Sequence, residues 1–82
     1  MNIDKLIDLI EQGNEQGVFN QEYWVYTLVD MVQEATGMGR EKAWETVYDL
    51  IENKKAIDYD IKSKTIKINY ERLREWMKKL QK

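Results

Sequence analysis

The sequence predicts an α+β domain, on three observations. Apolar residues recur at helical spacing in four stretches. Between the third and fourth stretches the apolar period drops to two. Glycines fall where the first stretches should end.

Ile3, Leu6, Ile7 and Ile10 fall at i, i+3, i+4 and i+7, which predicts a helix over residues 2–12 with one apolar face. Asn2 is suited to cap its start, and Gly13 to end it. Gly13-Asn14-Glu15-Gln16-Gly17 reads as a loop, and Val18-Phe19 as an apolar island able to form a very short strand. A second helix is expected over 20–36, opened by Asn20. Trp24, Leu28, Met31, Val32 and Ala35 form its stripe, which Val25 and Val29 widen. Such a helix belongs at the centre of the core.

Thr36-Gly37-Met38-Gly39 predicts a tight turn, with Gly37 in the left-handed position and Gly39 as the next cap. The third helix is expected over 40–53. Ala43, Val47, Leu50 and Ile51 lie on one side, Trp44 and Tyr48 flank them, and Glu41, Glu45, Asp49 and Glu52 lie opposite. Ile57 and Tyr59, then Ile66, Ile68 and Tyr70, alternate with polar residues, which predicts an antiparallel hairpin near 56–69. A fourth helix over 70–81 follows from Leu73, Trp76, Met77 and Leu80, with Asn69 as its cap.

Charge and composition narrow the function. The 82 residues hold 13 basic and 15 acidic side chains, for a net charge of −2. Residues 1–52 hold three basic residues against eleven acids, a balance of −8, and residues 53–82 hold ten against four, a balance of +6. That asymmetry suggests different partners for two surfaces, or attraction between the halves within the fold. With no Cys and no His, the chain cannot offer a thiolate nucleophile, a His-based triad or a Cys/His zinc site. The absence of Cys fits a reducing, cytoplasmic setting. No apolar run is long enough to span a bilayer, and the start does not read as a signal peptide.

Helix, island, helix, Gly turn, helix, hairpin, helix resembles a winged helix-turn-helix domain. The resemblance is carried by Gly37-Met38-Gly39-Arg40-Glu41-Lys42-Ala43, by Val47 to Asp60, and by Lys64-Thr65-Ile66-Lys67-Ile68. It implies that the third helix enters the DNA major groove, that the hairpin wing touches phosphate or the minor groove, and that Val18-Phe19 is the short first strand. It also implies dimerisation through a terminal helix, for which Leu73, Trp76, Met77 and Leu80 are the candidate seam. Their other reading is core.

The chain departs from that pattern in charge. A reading helix faced by Glu41, Glu45, Asp49 and Glu52 meets repulsion where DNA binding normally gains counterion release. Two binding modes remain. In one, a nucleic-acid-associated regulatory protein holds DNA with Arg40, Lys42, Lys54, Lys55, Lys62, Lys64 and Lys67, with Arg72, Arg74, Lys78 and Lys79 nearby. In the other, an adaptor or phage-type inhibitor docks a basic, nucleic-acid-binding protein through Glu41, Trp44, Glu45, Tyr48, Asp49 and Glu52. Each charged set has a plain alternative: a solvated helix face for the acids, and edge protection for the lysines.

No catalytic constellation is expected. Asp58 and Asp60 share a strand face, as in metal nucleases, but an alternating strand produces that spacing unaided. Ser63 has no His to activate it, and Gly37-Met38-Gly39 lacks the Lys-Ser/Thr of a phosphate loop. No cofactor or metal is expected.

Overall fold

In the computed structural model, which describes residues 3–80, the elements are α1 (Ile3–Gln16), α2 (Trp24–Thr36), α3 (Arg40–Tyr48), a π-helical turn (Asp49–Asn53), β1 (Ile57–Asp60), β2 (Thr65–Ile68) and α4 (Tyr70–Leu80). The class is α+β, with the hairpin between the third and last helices in a winged-helix-like layout. None of the described helices is long and apolar enough to cross a membrane.

The stripe of α1 is buried as expected at Leu6, Ile7 and Ile10, but the helix runs past Gly13 to Gln16. The expected cap at Asn2 lies outside the described residues. Gly13 is needed for space, not for ending the helix. A Cβ there would stand 2.8 Å from both Met31 Cε and Val18 Cγ2, and 2.9 Å from Phe19 Cε2. The left-handed residue that follows α1 is Gly17, with φ 72°. The chain then folds back so that the Phe19 side chain is wholly buried.

Val18-Phe19 is a turn and not a strand. The backbone of Ile66 that a third strand could use is already taken. Asn14 Nδ2 donates to the Ile66 carbonyl, and the Ile66 N–H donates to Asn14 Oδ1, each at 2.9 Å.

Asn20 does not cap α2. The turn that carries the chain away from Phe19 uses residues 20–23, with Asn20 N–H bonded to the Gly17 carbonyl and Trp24 N–H to that of Gln21. Helix α2 therefore opens at Trp24. It buries Leu28, Val29, Val32 and Ala35, and packs against both α1 and α3. Trp24 is half-buried, and its ring stacks on Tyr59 with centroids 4.5 Å apart. Gly37 ends the helix at φ 75°, its N–H bonded to the Gln33 carbonyl at 2.8 Å, and Gly39 occupies the cap of α3, both as the sequence predicts.

The third helix does not stay α-helical to Asn53. After Tyr48 it widens: the Lys54 N–H reaches the Asp49 carbonyl and the Ala56 N–H reaches that of Leu50, each at 2.9 Å. Lys55, at φ 51°, closes the turn in the left-handed region. The wide turn keeps Leu50 fully buried while leaving Ile51 half-buried.

Strands β1 and β2 pair antiparallel, with Ile57 opposite Ile68 and Tyr59 opposite Ile66. The 61–64 connection is held by Lys64 N–H on the Asp60 carbonyl at 2.7 Å and Lys62 N–H on Asp60 Oδ1 at 3.0 Å. Lys64 takes φ 56° there. Ile57 and Ile66 face the core. Asn69 caps α4 as expected, its Oδ1 accepting from the Arg72 N–H at 3.1 Å. Leu73, Trp76 and Met77 are buried in the chain's own core.

Candidate functional site

The predicted cations separate into three groups. Arg40 is tied to α2: its guanidinium bonds Asp30 and, at 2.9 Å, Gln33 Oε1. It staples the Gly turn while its side chain stays 44% exposed. Lys42 is exposed on α3 beside Glu41. On the hairpin, Lys67 pairs with Asp60 at 3.3 Å, and Lys64 lines a shallow hollow together with Glu22, Trp24 and Tyr59. Lys62 is exposed at the tip.

The third group forms a site. Lys54 and Lys55, released from the π turn, meet Arg72 and Lys79 of α4 around one concavity of about 300 Å³, which Asn53, Glu75 and Trp76 complete. None of these four cations forms an ion pair among the described residues. Spacing places Arg72 and Lys79 only near the basic set, assigns Trp76 to the dimer seam or the core, and gives Glu75 no role in a site. Their signal was present: Arg72, Glu75, Trp76 and Lys79 fall at i, i+3, i+4 and i+7, one face of α4.

Asp60 at the hairpin is held below the usual carboxylate range, first by the Lys62 backbone N–H and then by the Lys67 ammonium and the Ser63 hydroxyl. Tyr70 is pushed above the usual phenol value, chiefly because its hydroxyl donates to Glu11 Oε1 at 2.9 Å.

The acids of the third helix point outward. Glu41, Glu45 and Glu52 are exposed, and half-buried Asp49 accepts from Asn53 Nδ2 at 2.8 Å. The two ion pairs described above, Arg40–Asp30 and Lys67–Asp60, each join residues of one half of the chain. They do not tie the acidic half to the basic one.

Beside the acids lies a groove of about 320 Å³ between α2 and the third helix, lined by Trp24, Val25, Trp44, Val47, Tyr48, Ile51 and Glu52. Aromatic rings continue along its border: Trp44 meets Tyr26 edge-on at 5.0 Å, and Tyr26 meets Tyr23 at 6.0 Å. Tyr23, Tyr26 and Tyr48 are 63%, 51% and 66% exposed, a density of bare rings that is unusual unless something covers them. Trp44 and Tyr48 were expected at such a surface. Trp24, Val25 and Ile51, which the periodicity assigns to the core, pack against it with one side and line the groove with the other.

In the terminal helix, burial leaves Leu73, Trp76 and Met77 to the chain's own core, and the side chain of Leu80 lies outside the described residues. Among the described residues no group of three or more acidic, His or Cys side chains is placed to hold a metal ion.

No family model, curated protein or solved structure matches the chain.

Proposed function

We propose that this is a non-enzymatic, nucleic-acid-associated regulatory protein that grips phosphates with the basic concavity of Lys54, Lys55, Arg72 and Lys79 and adds the wing cations Lys62 and Lys64. One observation carries the reading: four cations from two separate stretches converge on one hollow with a single carboxylate, Glu75, and none of the four forms an ion pair among the described residues. Such convergence suits a phosphate backbone, whose neutralisation releases counterions. The winged-helix-like order supports the same class, with a change of contact face. Glu41 and Glu45 of α3, with Asp49 and Glu52 of the π-helical turn, would be repelled from the major groove, so the duplex lies against Lys54 and Lys55, the wing and α4. Contacts of that kind position the protein and do not read bases.

Fluorescence anisotropy with a duplex of about 20 base pairs tests this. Binding should fall steeply with salt, with log K changing by roughly 0.9 per phosphate neutralised for each tenfold change in salt. Lys54→Glu with Arg72→Glu should abolish binding, and Lys62→Glu with Lys64→Glu should weaken it. Absence of duplex binding at micromolar protein and low salt would sink the reading.

A further inference from the structure

We infer that the aromatic groove between α2 and the third helix docks a basic amphipathic helix of a partner protein. The inference is independent of the phosphate site, because it uses none of those cations.

The groove is apolar except for one charged group, the Glu52 carboxylate. Glu41 and Glu45 are exposed on the same helix, and no Lys or Arg lines the groove. A ligand complementary to it presents apolar side chains to the floor and cations to the rim. Lys and Arg suit both parts, since their stems cover apolar surface while their heads pair with carboxylates or sit over ring faces. The walls are side chains of two helices, with no strand edge to which an extended peptide could add. The recognition mode that fits is therefore a helix laid in a groove. Aromatic side chains at the centre with charge at the border is the usual anatomy of an anchor site.

A second copy of the chain is a poorer occupant. Its basic surface around Lys54, Lys55, Arg72 and Lys79 is itself concave. Among the described residues its most exposed large apolar side chain is Ile61, 80% exposed at the hairpin tip between Asp60 and Lys62. A four-residue tip covers far less than the roughly 800 Å² per partner that a stable association needs.

The test is calorimetric titration of the full chain with two Trp-free model helices of about 18 residues. They share one Leu face, and their other face is Lys in one and Glu in the other. The Lys helix should bind one to one, more weakly as salt rises, and the Glu helix should not bind. Tyr48→Ser with Glu52→Lys, both at exposed positions, should weaken the Lys helix at least tenfold while leaving the thermal melt in place. Equal binding of both helices, binding of neither, or unchanged affinity in the folded double variant would each overturn the inference. Sedimentation showing a self-association that Glu52→Lys abolishes would also overturn it, because the groove would then be filled by a second copy.

Discussion

Asn14 and Ile66, 52 residues apart, are joined by two hydrogen bonds of 2.9 Å, one in each direction, so that a side-chain amide does the work of a neighbouring strand. Ile66 can accept this because it stands opposite Tyr59 with its own N–H and carbonyl turned outward from the ribbon. The link ties α1 to β2 through the backbone, independently of the apolar packing.

Asn14→Asp should therefore be more damaging than its size suggests. It keeps the acceptor, loses the donor, and sets a carboxylate against the Ile66 carbonyl. A loss of about 1–3 kcal/mol is expected, with Asn14→Ala at the lower end. Urea unfolding checks both, and an unchanged midpoint for Asn14→Asp would show that the amide is not needed.

Two glycines should respond to alanine for different reasons. Gly13→Ala gains about 1 kcal/mol of helix propensity but forces a methyl group against Val18, Met31 and buried Phe19, at a cost of roughly 1–3 kcal/mol. Met31 can swing aside, whereas the Phe19 ring cannot, so net destabilisation is expected. Gly37→Ala meets nothing within 4 Å and carries only the left-handed backbone cost, about 1–2 kcal/mol. Both are read as shifts in Tm, and mutating Phe19 to Leu should relieve only the first.

The carboxyl group of Asp60 makes stability depend on acid pH. Its folded value lies below the ordinary 3.8, so its contribution is complete above that pH and is lost as the pH falls through the folded value. Asp60→Asn should be less stable than the parent at neutral pH, and the gap should close below about pH 3.8. Parallel unfolding curves across that range provide the measurement.

Lys55 separates stability from binding. In its left-handed conformation a non-glycine residue costs about 1 kcal/mol, which glycine relieves while adding chain entropy to the unfolded state. Lys55→Gly should thus change stability by less than about 1 kcal/mol, yet reduce the salt slope of duplex binding by about 0.9, the share of one phosphate. An unchanged slope would remove Lys55 from the phosphate site. Lys55→Val, by contrast, should fold less stably, since a branched side chain does not tolerate that backbone.

The elements with strong periodicity were legible from the residues. Helix α4 with its Asn69 cap, the Gly37–Gly39 turn and the hairpin stand where spacing and turn chemistry place them. What was not legible depends on distant neighbours. Gly13 reads as a helix terminator until Phe19 is seen lying on it. Val18-Phe19 reads as a strand until Asn14 occupies the edge. The widening after Tyr48 has no signal in the local residues, whose spacing continues the α-helical pattern. That turn sets Lys54 and Lys55 beside α4, and it leaves Ile51 half-buried, packed on the core and lining the groove.

A two-stranded ribbon ordinarily offers bare margins on which further strands from other molecules can stack, the starting point of fibrils. Here the margin along β2 is blunted at its midpoint by an amide from within the same molecule. Local fraying of α1 near Asn14 would unmask that margin before the rest of the chain lets go.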